Sequence, residues 1–206
     1  MIKNVVFDYG QVLIHFEPEY MASRYITDEE DLKLATPIIF DRAYWDRLDD
    51  DTITDEEVVA GFCSRLPERL HEKAKKVYDN WMYNNPEVEG MKELISYVKE
   101  KYGAKTYLLS NISKTFAKRS GDFPVLKMLD GCVFSGECKM AKPNRDIFEH
   151  LLEKFDISAG ETVFIDDNEN NVKMAESVGI KTFMFKMNVD ELKKWLDSVL
   201  GSETIE

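Results

Sequence analysis

Short apolar strands alternate with amphipathic helices along the second half of the chain, from Pro86 onward. The strands predicted there are 104–109, 132–134, 162–165 and 181–185. An earlier apolar run, Val5–Phe7, is also typical of a strand that is buried on both faces. Strands that alternate with helices form parallel sheets with right-handed crossovers and helices on both sides. The sequence therefore predicts an α/β fold with a Rossmann-like parallel sheet.

Residues 15–86 interrupt this alternation, because they contain helix signals and no clear strand pattern. Thr27–Glu30 and Thr54–Glu57 both match the capping box, in which a Thr hydroxyl and a Glu three residues later satisfy reciprocal main-chain amides. A further helix is predicted over 68–83, and a more irregular helical region over 113–129. The block 15–86 is therefore interpreted as a helical insertion after the first strand.

This arrangement divides the chain into two predicted domains. Residues 1–14 and 87–206 form the core with the sheet, and residues 15–86 form a small α-helical cap. Ligands of open α/β sheets bind in the crevice beyond the carboxyl ends of the strands. We expect the cap to pack over that crevice.

Composition and charge exclude several kinds of partner. The formal charge is −12 at pH 7, which opposes binding to nucleic acid, because phosphate backbones require clustered Lys and Arg. No apolar run approaches the length of a membrane span, and no signal-peptide pattern precedes the first strand. We therefore expect a cytoplasmic protein with no membrane or nucleic-acid partner. The sequence leaves the oligomeric state open.

Polar groups recur where the predicted strands end or shortly after. They are Asp8, Ser110-Asn111, Lys142 and Asp166-Asp167. Taken singly, each has an ordinary explanation as a turn residue, a helix cap or a surface side chain. The carboxyl ends of parallel strands meet along one edge of the sheet. We therefore interpret these groups as parts of one shared site.

This set of groups matches phosphoryl transfer through an aspartyl-phosphate. Asp8 would attack phosphorus in line and divide hydrolysis into two easier displacements. Ser110 and Lys142 would stabilise charge on the equatorial oxygens. Mg²⁺ prefers oxygen ligands and typically takes one or two carboxylates plus the substrate phosphate, so Asp8 and Asp167 with a main-chain carbonyl would suffice.

The sequence resembles the haloacid dehalogenase (HAD) superfamily in four ordered motifs. They occur as Phe7-Asp8-Tyr9-Gly10, Leu109-Ser110-Asn111, Lys142-Pro143 and the segment Phe164 to Asn171. The resemblance spans the whole chain and implies a HAD core with a helical cap inserted after the first motif. It further implies a hydrolase that acts on a small phosphorylated metabolite.

The resemblance also implies roles for particular residues. Asp8 would be the nucleophile, and the phosphate or substrate would be bound by Ser110, Asn111 and Lys142. The implied Mg²⁺ ligands are Asp8, the Gly10 carbonyl and Asp167, with support from Asp166 and Asn171.

Position 10 departs from the pattern of most phosphatases in the superfamily. They carry a second Asp two residues after the nucleophile as general acid and base, whereas this chain has Gly10. General acid–base help is typically worth about two to four orders of magnitude in rate, so its loss favours a good leaving group. A sugar 1-phosphate provides one, and the motifs resemble a bacterial branch that includes an α-glucose-1-phosphate phosphatase. His15 is a candidate substitute acid.

Two other functions stay open. A 2-haloacid dehalogenase would also use Asp8, attacking carbon without a metal, and a non-catalytic protein would only bind a phosphorylated metabolite. In the predicted cap, Tyr44, Trp45 and Arg47 are candidates for closing over the substrate, with core packing as the alternative for the aromatic rings. The acidic run at 49–51 is interpreted as a helix end that enters a solvated loop.

Overall fold

The computed structural model describes residues 1–201 as a five-stranded parallel sheet covered by helices. The strands are β1 (Asn4–Phe7), β2 (Lys105–Ser110), β3 (Gly131–Phe134), β4 (Thr162–Asp166) and β5 (Lys181–Met184). Their order in the sheet is β3-β2-β1-β4-β5, and all neighbouring strands are parallel. The predicted α/β fold with a Rossmann-like sheet is confirmed, and each strand lies within one or two residues of its predicted position.

The helices connect the strands and cover the sheet. In chain order they are α1 (Pro18–Ser23), α2 (Glu29–Ile39), α3 (Arg42–Asp49), α4 (Asp55–Cys63), α5 (Glu68–Asn80), α6 (Met91–Tyr102), α7 (Lys114–Arg119), α8 (Pro124–Lys127), α9 (Ser135–Cys138), α10 (Arg145–Phe155), α11 (Glu169–Ser177) and α12 (Val189–Leu200). Every helix within residues 1–201 is too short or too polar to cross a bilayer.

Successive residues of the central strand β1 point to opposite faces of the sheet. Val5 and Phe7 belong to a large apolar core that also contains residues of α6, α12 and the helices before β2. Val6 belongs to a second apolar core with Ile147 and Phe148 of α10. Because both faces of β1 are covered, all of its residues are buried, as its unbroken apolar run predicts.

Six helices, α1–α6, lie between β1 and β2, and the first five, α1–α5, pack against one another. The capping box at the start of α4 is confirmed, because the Thr54 hydroxyl accepts a hydrogen bond from Glu57 N while the Glu57 carboxylate accepts one from Thr54 N. The capping box predicted at Thr27 is wrong. There α2 begins one residue later, and the Asp28 carboxylate caps it by accepting a hydrogen bond of 3.0 Å from Asp31 N.

Two predicted helical stretches are less regular than expected. The helix predicted at 68–83 is α-helical as far as Asn80 and continues as a 3₁₀ turn, Trp81–Tyr83. The region 113–129 consists of α7, a 3₁₀ turn and α8, and α8 starts anew at Pro124 because proline fits the first turn of a helix.

The chain leaves the sheet and returns to it through two adjacent connections. Val88 N donates a hydrogen bond of 3.0 Å to the Leu13 carbonyl, and His15 N donates one of 2.8 Å to the Pro86 carbonyl. We call residues 15–86 the inserted segment, after the predicted cap boundaries. Its helices reach the carboxyl edge of the sheet, where the polar strand ends lie.

Candidate active site

A cavity of about 630 Å³ opens at the carboxyl ends of β1, β2 and β4. Its size is typical of a site for a small ligand, and it lies beside β1 and β4, where the order of the sheet reverses. The predicted site residues that line it are Asp8, Gly10, Ser110, Asn111, Lys142, Asp167 and Asn171. Asp166, the last residue of β4, lies fully buried in contact with Lys142. The structure therefore brings all of the predicted strand-end residues together.

The ammonium group of Lys142 lies between two carboxylates. Its Nζ is 2.8 Å from Asp8 Oδ1 and 2.7 Å from Asp166 Oδ2, and only 1% of the Lys142 side chain is exposed. Burial alone would lower the pKa of Lys142, but the charges and hydrogen bonds of Asp166 and Asp8 outweigh burial and raise it. Lys142 is therefore a fixed cation beside Asp8.

Hydrogen bonds occupy both carboxylate oxygens of Asp166. Oδ1 accepts from Asn168 N at 2.8 Å and from Asn171 Nδ2 at 3.1 Å. Oδ2 accepts from Lys142 Nζ at 2.7 Å and from Asn171 Nδ2 at 3.0 Å. The buried Asp166 thus orients Lys142 and Asn171, whereas the exposed Asp167 next to it remains accessible from the cavity.

Three carboxylates converge at this edge. Asp8, Asp166 and Asp167 each place one oxygen within 4.8 Å of the other two. Burial is the main reason why the pKa values of Asp8 and Asp167 are raised, and the charge of Asp166 raises both further. Because Lys142 is the one cation in ion-pair contact with this trio among residues 1–201, negative charge is in excess. This oxygen-rich, negatively charged donor set fits a hard divalent cation such as Mg²⁺.

Ser110 and Asn111 follow one another at the end of β2 but differ in their contacts. The Ser110 side chain faces the cavity and makes no hydrogen bond to another residue in the described part of the chain. The Asn111 amide instead pairs with the main chain of Lys142, donating to its carbonyl and accepting from its N–H, both at 2.8 Å. Asn111 therefore holds the loop that carries Lys142, and its predicted contact with substrate stays a prediction.

Gly10 has room for a Cβ atom. Its φ lies outside the left-handed region, and a Cβ atom built there would meet Phe16 Cβ at 3.9 Å, an ordinary contact. Neither the main-chain conformation nor contact at the Cβ position therefore requires glycine here. His15, the candidate substitute, is not among the residues that line the cavity, and its Nδ1 lies 4.0 Å from Glu17 Oε1.

The inserted segment forms the opposite wall of the cavity. Its lining residues are Phe16, Arg42, Trp45, Asp46, Asp49, Asp50 and Trp81. Of the cap residues considered from the sequence, Trp45 lines the cavity and Tyr44 and Arg47 do not. Tyr44 instead packs under the guanidinium group of Arg65.

The interpretation of the acidic run 49–51 as solvated is wrong for Asp49. Asp49 is only 7% exposed, and it was missed because consecutive acids normally indicate solvent. One sequence signal could have found it. Asp49 lies four residues after the buried Trp45, and that spacing places both residues on the same face of α3.

The fold and this site together define a hydrolase of a known family. The chain belongs to the haloacid dehalogenase-like hydrolases, whose family model matches residues 2–179. This confirms the family indicated by the four motifs, and with it the prediction that the protein is an enzyme.

Two curated relatives and one solved structure are similar to this chain. A phosphorylated carbohydrates phosphatase of Thermotoga maritima is 27% identical over 55% of this chain, but the match spans about half, 51%, of the Thermotoga protein. A D-ribitol-5-phosphate phosphatase of Bacteroides thetaiotaomicron is 23% identical over 92% of this chain and 95% of its own length. A HAD family enzyme of the same organism was solved as a mutant with magnesium and inorganic phosphate. It has a TM-score of 0.70 and 25% identity, and the match covers 91% of this chain and 96% of that one.

Proposed function

We propose that this protein is a magnesium-dependent phosphatase that hydrolyses a small phosphorylated metabolite through an aspartyl-phosphate on Asp8. The observation that carries the proposal is the excess of negative charge around Asp8, where three carboxylates cluster and one ammonium group contacts two of them. A phosphate dianion would be repelled from this edge without a divalent cation. A metal-free dehalogenase has no need of such a cluster, so the charge balance favours the phosphatase.

The residues of the chain divide the work of phosphoryl transfer. Lys142 holds one oxygen of Asp8 and so orients the carboxylate for attack on phosphorus. Ser110 and Lys142 donate hydrogen bonds to the equatorial oxygens, where charge accumulates in the transition state. When bound, Mg²⁺ would be held by Asp8, the Gly10 carbonyl and Asp167, beside Asp166, and would neutralise phosphate charge.

The substrate class that we propose is a sugar phosphate or sugar-alcohol phosphate. Its support is the naming of two relatives as phosphatases of phosphorylated carbohydrates and of D-ribitol 5-phosphate. The inserted wall of the cavity agrees with it, because carboxylates and aromatic rings there suit a polyhydroxy compound. The narrower hypothesis of a sugar 1-phosphate follows from the leaving-group argument at Gly10.

A panel of sugar and sugar-alcohol phosphates, assayed for phosphate release with and without Mg²⁺, tests the function. We expect magnesium-dependent release from at least one member and its loss in Asp8→Asn, with the circular dichroism spectrum unchanged. Chloride release from 2-chloropropionate without phosphate release would identify a dehalogenase. Binding of the phosphates without turnover, and no aspartyl-fluorometallate complex at Asp8, would identify a non-catalytic protein.

A further inference from the structure

Asp49, the last residue of α3, is a buried carboxylate that the mechanism above does not use. It lines the cavity, and its side chain makes no hydrogen bond or ion pair with any residue in the described range 1–201. The nearby acids differ from it, since Asp46 pairs with Arg42, Asp51 pairs with two lysines, and Asp50 is exposed. Burying an acid without a partner is costly. Packing alone therefore gives no reason for a carboxyl group at this position.

The main chain of Asp49 is attached to the phosphate-binding edge of the sheet. The Ser135 hydroxyl donates a hydrogen bond of 2.7 Å to the Asp49 carbonyl. The Ser135 hydroxyl oxygen also accepts a hydrogen bond of 2.9 Å from Ile112 N. Ile112 lies two residues after Ser110, so two hydrogen bonds join Asp49 to the loop that follows a predicted phosphate contact. Asp49 thus has a fixed place in the wall opposite Asp8.

The charges around Asp49 favour its protonated form. Burial is the largest effect, and together with the carboxylates of Asp46, Asp50 and Asp8 it raises the pKa of Asp49 to about 7, although Arg42 opposes this shift. A carboxyl group is normally ionised well below neutral pH. Near neutral pH, Asp49 can therefore carry a proton and donate it, as a general acid must.

We propose that Asp49 is the general acid and base of this site, in the role that Gly10 leaves empty. The inference rests on the proposed phosphatase function. As Asp8 attacks phosphorus, the bond from phosphorus to the leaving oxygen breaks and the Asp49 carboxyl passes its proton to that oxygen, releasing the alcohol. The Asp49 carboxylate then takes a proton from water while the water oxygen attacks phosphorus. The bond to Asp8 breaks, releasing phosphate and restoring both residues.

The dependence of rate on leaving group tests this proposal. The probes are p-nitrophenyl phosphate, phenyl phosphate and an alkyl phosphate, whose leaving groups are progressively less acidic. In Asp49→Asn, we expect kcat/KM for the alkyl ester to fall by about 10²- to 10⁴-fold. The fall for p-nitrophenyl phosphate should be much smaller, because its leaving group departs without a proton. In the same variant, the fall of kcat/KM for the alkyl ester at alkaline pH should also disappear.

Two further variants separate proton transfer from a loss of charge. Asp50→Asn removes a neighbouring carboxylate that is exposed in the same cavity. It should change kcat/KM by the same factor for all three esters. Gly10→Asp, added to Asp49→Asn, places an acid at a position where a Cβ atom makes only an ordinary contact, and it should restore part of the rate on the alkyl ester.

The outcomes also separate this proposal from the proposed function. If the unmodified protein releases phosphate but Asp49→Asn lowers kcat/KM equally for all three esters, Asp49 is not the proton donor, and the phosphatase function stands. If the unmodified protein hydrolyses none of the esters and none of the sugar phosphates, the phosphatase function fails and the role of Asp49 fails with it.

Discussion

The Ser135 hydroxyl lies 2.7 Å from the Asp49 main-chain carbonyl and joins the sheet to the inserted segment. Further polar contacts extend this junction. Asp51 forms ion pairs with Lys114 and Lys139, each at 3.2 Å, and the Thr115 hydroxyl donates a hydrogen bond to the Asp55 carboxylate. The wall of the cavity that carries Asp49 is therefore attached to the end of the sheet that carries Ser110.

Ser135→Ala should weaken both stability and catalysis. It leaves the Asp49 carbonyl and the Ile112 N–H without their partner, which costs about 1–3 kcal/mol for buried polar groups. We expect a lower Tm and a lower kcat/KM for alkyl phosphates. Ser113→Ala is the matched control, because it removes a buried hydroxyl that caps α7 without touching Asp49. If the two variants had equal kcat/KM for alkyl phosphates, the hydrogen bond from Ser135 would not support the catalytic role of Asp49.

Lys142→Ala should unfold more readily at neutral pH than at acidic pH. The variant leaves Asp8 and Asp166 buried without their cation, and breaking a buried pair typically costs about 3–5 kcal/mol. Lys142 lowers the raised pKa of Asp8, so without it this pKa rises further, the folded state binds more protons than the unfolded state, and stability rises as pH falls. Thermal unfolding at pH 5 and pH 8 measures this.

Lys3→Ala provides the control for that comparison. Its ion pair with Glu161 is exposed, and such pairs contribute about 0–1 kcal/mol. We expect a small change in Tm that is similar at both pH values. A Lys142→Ala variant with the same behaviour would contradict the view that Lys142 neutralises buried charge.

Mg²⁺ should raise the Tm of the protein even without substrate. A cation that binds only the folded state stabilises it by mass action, by about 2.7 kcal/mol at a hundred times its Kd. Asp167→Asn should reduce this shift, because it removes the accessible carboxylate of the cluster. Asp190→Asn, on the first turn of α12, changes the net charge equally and should keep the full shift. If Mg²⁺ raised the Tm of the unmodified protein and of both variants equally, the cation would bind at a site that does not include Asp167.

The stability of Asp49→Asn relative to the unmodified protein should increase as pH rises. Burial raises the pKa of Asp49 to about 7, so between about pH 4 and pH 7 the folded state binds more protons than the unfolded state. The contribution of Asp49 to stability is therefore lost as pH rises through this window. The variant removes that loss, and its Tm relative to the unmodified protein should increase from pH 4.5 to pH 8. A constant difference would show that Asp49 ionises normally.

The strand-end residues could be predicted because topology places them. Once the strands are known to be parallel, Asp8, Ser110 and Asp167 must share one edge, whatever the details of the helices. Asp49 could not be predicted in the same way. Its burial depends on contacts between the inserted segment and Ser135, which lies 86 residues further along the chain.

The contact made by Asn111 was also beyond sequence reasoning. Its motif indicates a place near the phosphate, but its two hydrogen bonds to the Lys142 main chain join residues that are 31 positions apart. The error at Thr27 is more local. Thr27 and Asp28 are both good helix caps, and small differences in the entry angle of the chain decide which one is used.

The paired connections at Leu13 and Val88 have a consequence for how such an enzyme can evolve. Because the inserted segment departs and returns at neighbouring points, a segment of another length or sequence can replace it without moving a strand. The proposed nucleophile and cation ligands stay encoded by the ends of the strands. With Asp49 as proton donor, a single recombination event would exchange both the selectivity for the leaving group and the acid that serves it.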